Sequence, residues 1–363
     1  MKKVIGFGEI MGRLAPEGFE RFSQACPGRL DLTFAGAEAN VAASVSLLGG
    51  RAAFVTALPR HEIAEACIRS LKALDIDTSH IVRTDSGRLG LYFVETGANQ
   101  RPSTVIYDRS GSAVSSAPPE AYDWDAIFAD AGWLHLSGIT PALSRQAAEA
   151  AQVAAERAKA AGLTVSCDLN FRKKLWDWDE NVSPRELARK TMRELLPHVD
   201  VVIGNEGDAE DVLGIKAGDS DVEAGSLMID KYPEVARQIV EQFPNVSKVA
   251  ITLRESISAS HNNWGAMLYD AAGGKASFAP LRDGDYRPYE IRDIVDRVGG
   301  GDSFAAGLIF ALHGGEFTDD ADAIAFATAA SCLAHSIKGD FNRSSRAEVE
   351  ALMRGSGSGR VVR

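Results

Sequence analysis

The chain has 363 residues, 45% hydrophobic and 25% charged, which is the balance of a packed protein and excludes wholesale disorder. Its 39 Lys and Arg against 50 Asp and Glu give a net charge of −11, so the surface as a whole repels phosphate backbones and anionic lipid. General nucleic-acid and membrane binders are thereby set aside, whereas a small anion held in a local basic pocket is not.

In chain order, the short apolar run 4–7 predicts a buried strand. Residues 37–48 are small and apolar with Asn40 among them, and Gly49-Gly50 closes them as a helix C-terminus does. Residues 52–58 predict a strand, 61–73 a helix, and 80–83 and 133–136 strands. The Ala-rich run 144–161 predicts a helix stopped by Gly162, with a strand over 163–168. A helix over 184–196, strands over 199–204 and 249–253, and a helix over 303–312 complete the pattern. Strands alternating with helices at crossover spacing predict an α/β fold, a mostly parallel sheet covered on both faces.

Two stretches break the alternation. Residues 12–34 and 88–112 hold short alternating segments with Gly and Pro and no helical period. They predict a few antiparallel strands outside the main sheet, most economically one small inserted β lid. The core is then 1–11, 35–87 and 113–354, the lid 12–34 and 88–112, and the Gly/Ser-rich stretch within 355–363 a flexible tail.

Cys26, Cys67, Cys167 and Cys332 form no CxxC pair, so neither a zinc knuckle nor a dithiol motif is expected. Free thiols in a reducing compartment are the simpler reading. The first 16 residues lack the apolar core of a signal peptide, and no run approaches the ~18 apolar residues of a membrane span. The expectation is a cytoplasmic protein.

The sharpest local signal is Asp296-Arg297-Val298-Gly299-Gly300-Gly301-Asp302-Ser303-Phe304. Residues 289–295 read as a strand leading into three glycines, and an apolar buried helix follows. Glycines at a helix N-terminus leave bare N–H groups where the dipole is positive, which suits a phosphate or an oxyanion. Asp302 in that first turn can accept a proton from an attacking hydroxyl while the amides of Gly299, Gly300 and Gly301 hold developing charge. The bland alternative is a loop whose Asp302 only caps the helix.

Gly6-Phe7-Gly8 invites a dinucleotide fingerprint, but Met11 stands at the third glycine position. No GxxxxGK[ST] is present either. Asp168-Leu169-Asn170-Phe171-Arg172 ends a strand, where open parallel sheets bind ligands, and Arg172 is an anion contact or a plain surface Arg. Asn205-Glu206-Gly207-Asp208-Ala209-Glu210 ends another. Its carboxylates suit a hydrated Mg²⁺, or simply an acid-rich helix start. His135 and His335 read as core histidines, and residues 176–179 (WDWD) as a packed loop.

Taken together, these residues resemble the ribokinase-like (PfkB) sugar kinases over almost the whole chain. Gly36-Ala37-Glu38-Ala39-Asn40-Val41-Ala42 and the Asp296–Asp302 string match that family's two signatures in order and separation. The resemblance implies a Rossmann-like core with a β lid, and transfer of the γ-phosphoryl of ATP to a sugar hydroxyl with Mg²⁺. Within the family, the Gly18-Phe19-Glu20-Arg21-Phe22, Gly90-Leu91-Tyr92, Tyr107-Asp108-Arg109 and Asn170-Phe171-Arg172 segments are similar to the branch that phosphorylates 2-keto-3-deoxygluconate. That branch implies substrate contacts at Gly36, Asn40, Tyr92, Tyr107, Arg109 and Arg172, with the arginines toward a carboxylate, and at Asp340. It implies Asp302 as base and the glycines as anion hole. It places the nucleotide near Asn170, Asn205, Asp208, Thr252, Arg254, Gly299 and Gly301, and Mg²⁺ near Asp208 and Glu210 through water. Asp296 matches a residue that binds a monovalent cation in some members, which implies K⁺.

The chain departs from the family at several points. Arg297, Val298 and Gly300 replace a Thr pair and an Ala; the nucleotide turn reads Thr252-Leu253-Arg254; and Arg13 stands where neutral-sugar kinases carry an Asp. A cation there argues for an acidic sugar. The alternatives are a fructokinase- or ribokinase-type activity on a neutral sugar and a sugar- or nucleotide-binding regulator without turnover. Small-molecule substrates and a homo-oligomer formed through the lid are the expected partners.

Overall fold

Alternation along the first strand sets the architecture. In Lys3–Phe7, Val4 packs into one apolar cluster and Ile5 and Phe7 into another, as a strand buried on both faces requires. The computed structural model describes residues 1–216 and 231–356, so the end of the predicted tail, 357–363, lies outside the described residues.

Lys3–Phe7 pairs with Ala52–Val55 on one side and Ala131–Ser137 on the other. Beyond the latter come Thr164–Asp168, Val201–Gly204 and Lys248–Ser258, all parallel. His261–Asp270 and Lys275–Ala279 close the sheet antiparallel, and Tyr289–Ile291 also pairs on His261–Asp270. Arg145–Ala160, Pro184–Leu195 and Tyr232–Gln242 pack on one face. Ala37–Leu47, Glu62–Lys72, Gly300–Gly314 and Asp320–Ala334 pack on the other. Arg145–Ala160 shows why such helices form: Ser144 Oγ accepts from Ala147 N, and Ala147, Ala150, Ala151, Ala154, Ala155 and Ala158 make one buried stripe.

Residues 12–34 and 88–112 supply most of a separate four-stranded sheet, ordered Asp31–Ala35, Met11–Ala15, Gly90–Glu95, Thr104–Asp108. Its central pair is parallel, not antiparallel as expected. The two strands are separated by whole core elements, so no hairpin joins them. The predicted strand over 52–58 also differs. It breaks at Thr56, and Ala57–Pro59 pairs instead with Val82–Thr84. Tyr232–Gln242, Asp320–Ala334 and Arg346–Met353 were not foreseen. Asp320–Ala334 is buried on most sides and so lacks the polar stripe that marks a surface helix. No described helix is long and apolar enough to cross a membrane.

Candidate active site

The first and third strands of the main sheet lie side by side while the chain's next strand lies on the far side, which opens a crevice at the strand C-termini. A cavity of about 670 Å³ occupies that crevice, and the small sheet forms one wall. Gly36, Asn40, Tyr92, Tyr107, Arg109, Asn170, Arg172 and Asp340 all line it. So do Asn205, Asp208, Thr252, Arg254, Gly299, Gly301 and Asp302. These are residues that the sequence scatters over three hundred positions.

Gly299 caps helix Gly300–Gly314 at φ +84°, in the left-handed region, with the Asp340 carbonyl oxygen 2.2 Å from where a Cβ would stand. Gly301 has nothing within 4 Å of that point and faces open cavity. Gly300 is instead buried against His335 and does not line the cavity. First-turn amides of a helix lack intrahelical partners, so this end presents donors to an anion.

Asp302 lies in the first turn. Asn40 Nδ2 donates to Asp302 Oδ2 at 2.6 Å, while Asn40 Oδ1 accepts from Gly36 N at 3.3 Å. Burial pushes the Asp302 carboxyl up to about 6, the Asn40 hydrogen bond opposes this, and the charge of Asp340 adds to it. At neutral pH the group is mostly ionised and close to its switching range, as a general base requires.

Tyr92 and Tyr107 stack at 6.1 Å, and Tyr92 Oη donates to Asp340 Oδ2 at 2.7 Å. Arg109 lies over Tyr107 but is already paired: its Nε donates to Glu9 Oε2 at 2.7 Å and its Nη2 also meets that oxygen. Arg172 is exposed and pairs with no carboxylate among the described residues. It is therefore the cation of this wall open to a ligand.

Several expectations are corrected. Glu210 does not line the cavity; it is exposed and faces Lys216 at 3.4 Å. Asp296 does not line it either, and its carboxylate is filled by Arg13 at 2.5 Å and by Val298 N and Gly339 N, which leaves the K⁺ reading without an open ligand. Arg13 is only 3% exposed, so its charge is spent on Asp296 and Asp340 and does not meet a sugar acid. Thr252-Leu253-Arg254 is no turn, because the strand continues to Ser258 with Arg254 opposite Trp264. Thr252 and Arg254 reach the cavity from that strand.

Three contributors were missed. Asp168 lines the cavity, and burial, then the charges of Asp208 and Asp302, hold its carboxyl well above the usual range. Asp208 is raised by burial, against hydrogen bonds from Phe171 N and Asn205 N. Such crowded carboxylates fit a cation held through water. Among the described residues no group of three or more His, Cys, Asp or Glu is placed to hold a metal directly.

The second is Glu38, fully buried beneath Asp302. Its Oε1 accepts from Ser137 N, Ser137 Oγ and Thr140 Oγ1, and burial pushes its carboxyl up to about 7. Gly8 makes room for it, since a Cβ there would stand 2.1 Å from Glu38 Oε2. That accounts for the spurious dinucleotide-like glycines. The third is Glu9, which holds Arg109. The sequence signals were adjacency of Glu9 to Gly8 and, for Glu38, its place within the Gly36–Ala42 signature.

His135 and His335 are buried on Ser166 Oγ and the Ser331 carbonyl, and Trp176 is 1% exposed, so the histidines and the WDWD segment serve packing.

The comparisons match this geometry. Residues 1–345 match the model of the pfkB family of carbohydrate kinases. The chain belongs to that family. This pfkB kinase is 32% identical over 357 residues, 98% of each chain, to a 2-dehydro-3-deoxygalactonokinase from Haloferax volcanii. The crystal structure of a 2-dehydro-3-deoxygluconokinase from Thermotoga maritima superposes with a TM-score of 0.87 and 42% identity, over 98% of this kinase and all of that chain. A plant relative, a probable fructokinase-2 from Arabidopsis thaliana, is 28% identical over 84% of this kinase and 80% of its own length.

Proposed function

We propose that the protein is an ATP-dependent kinase that phosphorylates the terminal hydroxyl of a 2-keto-3-deoxy sugar acid, 2-keto-3-deoxygluconate in the first place. The observation that carries the reading is Asp302, held by Asn40 at 2.6 Å beside a glycine-capped helix N-terminus in a cavity walled by the small sheet. The acid is supported by Arg172, a cation of the sugar wall with no carboxylate partner among the described residues, and by the activities named for the relatives above. Arg13 no longer supports it.

In this reading Asp302 takes the proton from the attacking hydroxyl as its oxygen bonds to the γ-phosphorus of ATP and the bond from that phosphorus to the β,γ-bridging oxygen breaks, ADP leaving, and Asn40 orients the carboxylate. The first-turn amides of the Gly299–Gly301 segment take up charge on the transferring phosphoryl group. Tyr92, Tyr107, Gly36 and Asp340 shape the sugar subsite, and Arg172, with Arg109 steadied by Glu9, faces the carboxylate. Asn170, Asn205, Thr252 and Arg254 line the nucleotide half. Mg²⁺, held through water by Asp168 and Asp208, would supply charge neutralisation for the phosphates. The small sheet acts as a lid that excludes water.

Thr104–Asp108 is the exposed edge strand of the small sheet, and Ile106 on it is 51% exposed, which supports pairing of two lids in a homo-oligomer. Four free thiols support a cytoplasmic location.

The test is ADP release against a panel of 2-keto-3-deoxy acids, including the galactonate epimer, and neutral sugars. Turnover confined to the acids is expected. Fructose or ribose as best substrate would overturn the acid reading, and nucleotide binding without ADP release would favour a regulator. Sedimentation of the wild type and of Ile106→Lys tests the lid pairing, the variant being expected to dissociate.

A further inference from the structure

Among the described residues, Arg13 is the one buried cation of this region that the mechanism leaves unused. It projects from Met11–Ala15, the strand in the middle of the small sheet, where it stands in register with Thr33 and Tyr92. Its Nη1 donates to Asp340 Oδ1 and its Nη2 to Asp296 Oδ2 at 2.5 Å. Both carboxylates frame the glycine loop. Asp296 Oδ1 accepts from Val298 N at 3.1 Å, and Asp296 Oδ2 from Gly339 N at 3.1 Å. The Asp340 backbone lies against Gly299 so closely that no Cβ fits between them, and Asp340 Oδ2 takes the Tyr92 hydroxyl. One guanidinium thus fastens the central lid strand to both segments that shape the anion hole.

We propose that Arg13 is a positioning residue, a resident cation that holds the glycine loop and Asp340 in register with the lid and makes a soluble monovalent cation unnecessary. A planar fork with two separate donors serves two carboxylates at once, which a spherical ion does without any link to the lid. Asp296 and Asp340 are both buried, so without the guanidinium they repel each other and the loop between them is no longer fixed. The inference rests on the kinase reading, because phosphoryl transfer reports the position of the loop.

The experiment measures kcat and both KM values for the wild type, Arg13→Ala and Arg13→Lys in sodium, potassium and millimolar guanidinium buffers of equal ionic strength, with thermal melts alongside. The wild type is expected to turn over equally in sodium and potassium. Arg13→Ala is expected to lose about 10²-fold in kcat while its KM for ATP changes less than about threefold. Guanidinium, which refills the gap, is expected to restore part of kcat in Arg13→Ala and to leave the wild type unchanged. Arg13→Lys keeps the charge without the fork and is expected to fall between them. A folded Arg13→Ala with wild-type kcat, a loss that guanidinium does not relieve, or a wild type that needs potassium would each overturn the proposal. Should Arg13→Ala fail to fold, the sodium–potassium comparison on the wild type and Arg13→Lys decides alone. A wild type that phosphorylates no sugar overturns the kinase reading itself, an outcome distinct from an active wild type with an unimpaired variant.

Discussion

Asn40 and Asp302 stand 262 positions apart in the chain, yet Asn40 Nδ2 donates to Asp302 Oδ2 at 2.6 Å. The bond joins the first turns of helices Ala37–Leu47 and Gly300–Gly314, which pack on the same face of the sheet. It favours the ionised carboxylate and so opposes the burial that raises it. The kcat–pH profile of the wild type should therefore rise through about pH 6. In Asn40→Ala the stabilising donor is gone, the Asp302 carboxyl holds its proton to higher pH, and the acid limb should move upward. An acid limb that stays in place would separate Asp302 from the titrating group.

Asp302→Asn keeps the shape and the Asn40 contact but cannot accept the proton. Turnover should drop by roughly 10²–10⁴ while the melting temperature stays near that of the wild type. Near-normal kcat in a folded variant would remove Asp302 from the role of base.

Arg172 and Arg109 should differ. Arg172→Ala removes a cation that has no carboxylate partner among the described residues, so the KM for the acid should rise about tenfold or more with little change for ATP. Arg109→Ala also strands the buried Glu9, so it should lower stability as well as acid affinity. Kinetics and melts on the two variants distinguish the patterns; equal melts would argue against the Glu9–Arg109 pair as a structural support.

Gly301→Ala tests the open side of the anion hole. A Cβ there touches nothing in the protein, and alanine favours a helix over glycine by up to about 1 kcal/mol. The variant should melt at or above the wild-type temperature while its KM for ATP rises or its kcat falls. Unchanged kinetics would place the phosphates elsewhere.

Glu38 links pH to stability. Its folded-state pKa of about 7 lies above the ordinary 4.5, so the folded protein binds the proton more tightly than the unfolded chain. Its favourable contribution is present below about pH 4.5 and is lost as pH rises toward 7, on the order of 3 kcal/mol at most. Glu38→Gln should flatten that fall. Melts of both proteins from pH 5 to 8 check it, and parallel pH dependences would show that another group is responsible.

The α/β class, most core strands and helices, and the glycine-capped turn were legible because they are local. Short apolar runs, Ala-rich helical stripes and Gly at a helix start each leave a mark within a dozen residues. Asp302 and the three glycines stood out for the same reason. The antiparallel end of the main sheet and the helix Asp320–Ala334 did not; in the helix, burial on most sides erases the periodicity that a surface element shows.

What only the tertiary structure decided is the state of each charge. In sequence, Arg13, Arg109 and Arg172 are three equivalent cations that all point to an acidic ligand. In the fold, Arg13 is consumed by Asp296 and Asp340 and Arg109 is held by Glu9, and of the three Arg172 is the one without a carboxylate partner among the described residues. The same holds for the acids: Glu210 faces solvent, while Asp168 lines the cavity and Glu38 is fully buried on Ser137 and Thr140. Residue type fixes which charge a position carries. Partners brought from distant segments, at distances where Coulomb energies change steeply and burial removes screening water, decide whether that charge is available.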